Sequence, residues 1–294
     1  MISHRNLSLF GVGAGGLLVL LCCGGPPGDA RGAAVVGSVL GAYDLPGGPD
    51  ARWELPPALS EISGAATTAD GRLLVHGDEQ ALIFELDPRR GEIVKRFAFG
   101  DPAVRGDFEG ITVADERVYL TTSDGVIYAG PEGRDGEAVR SEVYHTGLGT
   151  RCEIEGLTFE PADRTLLLSC KKARSQALRG WIAVFRWSVD RHVLLPDPRP
   201  LLPLSAVTRR IGGEEFRISD LVRDPGTGHY LLLAGPERAI AEITPEGQVV
   251  AVARLRAGAH RQAEALAMGP DGALLVGDEA AGKRATLSVY RRAR

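Results

Sequence analysis

Five short segments repeat one pattern in which polar side chains stand two residues apart, the spacing that turns both toward the same face of a β-strand. They are Glu61-Ile62-Ser63-Gly64-Ala65, Asp107-Phe108-Glu109-Gly110-Ile111, Glu153-Ile154-Glu155-Gly156-Leu157, Arg217-Ile218-Ser219-Asp220-Leu221 and Gln262-Ala263-Glu264-Ala265-Leu266. The first column holds Glu61, Asp107, Glu153, Arg217 and Gln262; the third holds Ser63, Glu109, Glu155, Ser219 and Glu264. Carboxylates gathered on one line resist ionisation, and a hard divalent cation relieves them. Ligation by oxygen alone favours Ca²⁺ or Mg²⁺ over zinc. Calcium tolerates irregular, high-coordination geometry, so Ca²⁺ is the expected cofactor, with Glu61, Asp107, Glu109, Glu153, Glu155 and Glu264 as its ligands. The competing reading has these acids capping turns or pairing with Arg217, Lys171 and Lys172.

The elements that must carry these residues follow from the spacing. The fourth positions of the five motifs are 64, 110, 156, 220 and 265, so most steps are 45 or 46 residues and one is 64. A period of about 40–50 residues is that of a propeller blade. A turn follows each motif, and then a β-rich run: Leu73–His76, Val118–Thr122, Leu166–Cys170, Tyr230–Leu233 and Leu274–Val276. Third strands are expected at Leu82–Leu86, Val126–Tyr128, Trp181–Trp187, Ile240–Ile243 and Thr286–Tyr290. Fourth strands are expected at Ile93–Phe99, Glu142–Thr146 and Val249–Leu255. The expected fold is therefore all-β: a five-bladed β-propeller with four-stranded antiparallel blades over residues 31–294. The last repeat ends at its third strand, and an N-terminal strand at Val39–Leu45 is expected to close that blade. The long step carries a proline- and leucine-rich insertion between Ser188 and Glu215, expected as a rim loop.

In a propeller the first strand of each blade lines the axis, so the motif columns become rings around a channel. A second polar set ends the second strands: Asp78-Glu79, Ser123-Asp124, Lys171-Lys172, Glu237-Arg238 and Asp278-Glu279. With Asp220 of the fourth motif, Asp78, Asp124, Lys171, Glu237 and Asp278 are the candidates for a ligand at one mouth; the plainer reading is solvated strand ends. Cys152 and Cys170 flank the first hairpin of blade three. They either form a disulfide, which needs a bulge to bring them into register, or remain two buried thiols.

Residues 1–30 differ from the rest. A basic start at His4 and Arg5 precedes an apolar stretch from Leu7 to Cys23 and a Gly/Pro segment, which reads as an export leader or a retained membrane anchor. Cys22 and Cys23 offer a site for lipid attachment, and the glycines at 11–16 fall inside this leader rather than in a nucleotide loop. The expected location is exported: periplasmic, in the cell envelope or membrane-anchored. A net charge of −4 with no basic stripe argues against a nucleic-acid partner. No nucleophile elbow, zinc-protease helix, P-loop or EF-hand loop occurs.

As a set, Trp53-Glu54-Leu55-Pro56, Glu61-Ile62-Ser63-Gly64, Gly106-Asp107-Phe108-Glu109-Gly110, Cys152-Glu153-Ile154-Glu155-Gly156-Leu157, Ser169-Cys170-Lys171 and Ile218-Ser219-Asp220-Leu221 resemble the SdiA-regulated (YjiK-like) family from Trp53 to Arg294. The resemblance implies a five-bladed propeller distantly related to NHL-repeat propellers, a calcium site in it and an envelope location, with no reaction assigned. Arg217 and Ala265 depart from the repeat. The expected function is a monomeric, noncatalytic binding or sensing module that takes calcium and an unidentified small molecule or envelope protein. The alternative is a calcium-dependent hydrolase of lactones or phosphoesters, with Glu109, Glu155 or Glu264 as its base.

Overall fold

The computed structural model describes residues 37–293. The leader, its cysteines and its glycine run lie outside the described residues.

Five sheets follow one another along the chain. Blade one is built from Ile62–Thr67, Leu73–Gly77, Leu82–Asp87 and Glu92–Phe99, and blade two from Phe108–Ala114, Arg117–Thr122, Val126–Pro131 and Glu142–His145. Blade three has Cys152–Glu160, Thr165–Ala173 and Trp181–Ser188; blade four has Asp220–Arg223, Tyr230–Ala234, Ala239–Ile243 and Val249–Arg254. Blade five runs through Ala263–Met268, Leu274–Asp278 and Thr286–Tyr290. The strands are β-branched and aromatic runs between glycine and aspartate turns, and within each blade neighbours pair antiparallel. One parallel pair adds Ala138–Val139 to the outer edge of blade one.

Five apolar clusters hold the ring, one between each pair of adjacent blades. The cluster between blades five and one packs Ala265, Leu275 and Leu287 on Ile62, Val75 and Phe84, for example. The cluster between blades three and four packs Leu167, Ile182 and Val184 on Ile218, Leu221 and Leu232. Each sheet is therefore buried on both faces, which explains strands that read as near-continuous apolar runs.

Two sequence expectations are corrected here. Val39–Leu45 is not a strand: Leu40–Ala42 forms a 3₁₀ turn, and Val39, Leu40, Tyr43 and Leu45 are buried between blades four and five. The buried Glu242 carboxylate accepts from the amides of Val39 and Leu40 at 3.0 Å and from Ser38 Oγ at 2.7 Å, which caps that turn. The closing strand is Ala51–Glu54, paired antiparallel to Thr286–Tyr290 with Trp53 opposite Leu287. Its alternating half-buried and exposed pattern suits an outer edge, whereas a segment apolar on every side suits a wedge. The insertion is likewise more than a loop. Val193–Leu194 and Leu201–Pro203 each pair with the third strand of blade three, supplying its outer edge in two pieces, and Ser205–Ile211 is a short α-helix ended by Gly212 in the left-handed region.

The glycines at the fourth motif position have a packing cause. With only five blades the inner strands nearly touch: a Cβ on Gly110 would lie 2.8 Å from the backbone of Gly156 and Leu157, and one on Gly156 would lie 2.8 Å from Asp220 Cα. Gly156 also has φ +81°. Glycine is thus required by close backbone approach, not by a ligand.

Candidate functional site

The first strand of every blade starts at the same end of the ring, where every second strand ends. The two polar columns separate there by depth. The first column forms a solvent-facing rim: Glu61, Asp107, Arg217 and Gln262 are exposed and Glu153 is half-buried. Four of its five members are engaged with neighbours. Asp107 accepts from Ser123 Oγ at 2.5 Å, Glu153 lies 3.7 Å from Arg174, and Gln262 donates to Glu279. Arg217 meets Glu237 through both its backbone amide and Nε at 2.9 Å.

Below the rim, the third column forms an inner ring. Ser63, Glu155, Ser219 and Glu264 are buried and Glu109 is half-buried. Ser63 donates to Glu109 Oε2 at 2.9 Å, and Ser219 hydrogen-bonds Glu264. Lys171, from the end of the second strand of blade three, reaches into this ring and binds Glu155 Oε1 at 2.5 Å. Three carboxylates therefore share one ammonium.

The electrostatics follow from that shortage. Burial is the main cause that pushes Glu109 up to about 8, and Asp107 and Glu264 add to it against the Ser63 hydrogen bond and Lys171. Glu155 is pushed up to about 9 by burial and then by Glu109, in spite of its contact with Lys171. Glu264 is also raised by burial. Burial alone would lower Lys171, but Glu155, Glu264 and Glu109 outweigh it and raise it. At neutral pH Glu109 and Glu155 thus retain protons while Lys171 stays charged. Glu279, at the adjoining strand end of blade five, rises to about 7 through burial and the nearness of Glu264, Glu61 and Asp78. Glu279 belongs to the site; the sequence places it in the strand-end set but not among the ligand candidates. Its signal was only its place beside Asp278.

The members of the strand-end set have separate partners. Lys171 enters the ring. Asp78, half-buried and raised by burial, has a buried Oδ1 with no hydrogen-bond partner among the described residues. Asp124 is exposed and pairs with Arg174 at 2.7 Å, and Glu237 is taken by Arg217. Asp278 is buried, held by His260 Nδ1 at 2.7 Å, while His260 Nε2 contacts Tyr290 OH at 2.6 Å. Asp220 is a staple between blades: its carboxylate accepts from the amides of Leu221 (2.8 Å) and Leu266 (2.7 Å) and from that of Leu157. Blades three, four and five are joined through that one side chain. Cys152 and Cys170, with Cα atoms 5.7 Å apart, are joined as a disulfide across register shifts at Glu153–Leu157.

The donor set suits a hard cation. Glu109, Glu155 and Glu264 would hold one, with the Ser63 and Ser219 hydroxyls beside them. As placed, with Lys171 among them, no group of three Asp, Glu, His or Cys among the described residues is gathered tightly enough to grip one ion. A cation would have to draw the glutamates inward against the lysine.

The fold and this mouth define a five-bladed β-propeller with an acidic axial ring. No protein-family model matches the chain, and no curated protein matches it. Among solved structures it is similar to the glutaminyl cyclase of Myxococcus xanthus, 15% identical over 83% of this chain and 94% of that one, with a TM-score of 0.55. It is also similar to the PQQ-bound aldose sugar dehydrogenase of Streptomyces coelicolor (14%; 81% and 97%; TM-score 0.49) and to a gluconolactonase of Xanthomonas campestris (14%; 78% and 72%; 0.47). At such identity the first likeness shows a shared fold and nothing about activity.

Proposed function

We propose that this chain is a noncatalytic, cation-binding propeller of the SdiA-regulated type, working in the cell envelope, with Ca²⁺ held by Glu109, Glu155 and Glu264 at the inner ring. The observation that carries the reading is the meeting of buried Glu155 and Glu264 and half-buried Glu109 around the axis with one ammonium to neutralise them. Burial costs each carboxylate its charge unless a cation arrives, so a divalent ion has a large driving force at this position. When bound, calcium would supply the missing positive charge and accept oxygen ligands without strict geometry. The Cys152–Cys170 disulfide supports an oxidising compartment, in line with the apolar leader read from the sequence.

The test is calcium titration by calorimetry, with melting in calcium and in chelator, for the wild type and the Glu109→Gln/Glu155→Gln variant. Saturable binding that raises the melting temperature and disappears in the double variant supports the site, and justifies a screen of lactones and phosphoesters for the hydrolase alternative. Absence of binding, or binding unchanged in the variant, overturns it and leaves Lys171 as the ring's only counter-charge.

A further inference from the structure

The one long step in the repeat builds a cavity of its own. At the end of the ring away from the acidic mouth, Pro198–Leu201 of the insertion face the ends of the strands of blades three and four across a space of about 850 Å³. Three arginines line it: Arg186 from the third strand of blade three, Arg223 from the first strand of blade four, and Arg199 from the insertion.

Their donors are only partly used. Arg186 gives Nη1 to Asp163 at 3.0 Å, while its Nε is buried and has no partner among the described residues. Arg223 gives Nε to Glu160 Oε2 at 3.1 Å. That carboxylate is saturated by further bonds from Tyr230 OH at 2.7 Å and from the Ala162 amide at 3.0 Å, so it has little left for a ligand. Arg199 is exposed and forms no ion pair among the described residues. Nη2 of Arg186 and both Nη atoms of Arg223 have no hydrogen-bond partner among the described residues, so they are the donors left for a ligand oxygen. Guanidinium donors match the planar fork of an oxyanion. Pro200, Leu201 and Pro245 supply an apolar wall beside them.

We propose that this cavity binds a small molecule through a carboxylate or phosphate group, received by Arg186, Arg199 and Arg223, and that the insertion exists to form it. The site is separate from the acidic mouth and does not depend on calcium there.

The test uses the full chain and four probes, orthophosphate, sulfate, citrate and benzoate, by calorimetry and thermal melting. The phosphate and sulfate arms report an inorganic or phosphoryl group; the citrate and benzoate arms report an organic acid. At least one probe should bind saturably with Kd of about 1 mM or tighter. Binding should weaken about tenfold or more in Arg199→Ser and in Arg186→Gln, and persist in Glu109→Gln. Arg199 is exposed, so its variant keeps the test open if Arg186→Gln misfolds. Failure of all four probes to bind, or binding unchanged in Arg199→Ser, overturns the proposal.

Discussion

Folding makes Glu109 and Glu155 take up protons, which gives their pH dependence a definite sign. Their folded values, about 8 and about 9, lie above the ordinary 4.5, so the native state binds more protons than the unfolded chain between those limits. Stability is then greatest below the lower limit and falls as pH rises through the window. In chelator, the melting temperature should decline across that range, and Glu109→Gln should flatten the decline by one proton's worth. A wild-type curve that rises instead would mean both carboxylates fold in their ionised form. Lys171 competes with any ion for the same glutamates. Lys171→Met should therefore tighten calcium binding on the order of tenfold or more, since a fixed positive charge close to the ion is removed. Titration of that variant checks this, and equal or weaker affinity would show that the lysine shapes the ring rather than opposing the metal.

Between elements, the closeness of the inner strands dominates. Gly110→Ala forces a Cβ to within 2.8 Å of the blade-three backbone, which neither strand can yield without parting the ring. The expected loss is roughly 2–3 kcal/mol in denaturant melts. Gly136→Ala, at φ +74° with open space around it, should cost only about 1 kcal/mol from backbone strain. Equal losses would refute the close-approach account. The disulfide spans 18 residues, so replacing Cys152 and Cys170 with alanine should lower stability by about 2–4 kcal/mol, read by the same melts. Most strands were legible before the structure because their apolar runs and turns are local signals: Leu73, Tyr230, Leu274 and Thr286 are where their strands begin. The outer edge of blade three was not. Two- and three-residue pieces such as Val193–Leu194 and Leu201–Pro203 carry no period, and exist only because Trp181–Ser188 offers an edge to pair with.

For the molecule as a whole, stability depends on closing the ring. Ala51–Glu54 covers the outer edge of Thr286–Tyr290, and the cluster around Ala265 and Ile62 joins the last blade to the first. A chain begun at Leu55 would leave that edge bare, and an unpaired edge invites pairing with other chains. It should elute as aggregate or oligomer in size exclusion with light scattering, while the intact chain elutes smaller. A truncated chain that stays monodisperse and melts like the intact one would show that the inter-blade clusters suffice.

The sequence by itself determined the blade count, most of the inner strand positions and the two polar columns, because turn residues, apolar runs and a fixed period are properties of neighbours along the chain. It also exposed the Cys152–Cys170 pair and the need for a bulge. Tertiary structure alone decided that the first column lies in solvent and the third is buried, that Lys171 enters the ring of glutamates, and that Asp220 staples three blades. It also decided which N-terminal segment closes the ring and which fills a wedge. Depth, charge neighbours and closure depend on how five sheets converge on an axis, and residues far apart in the chain meet only there.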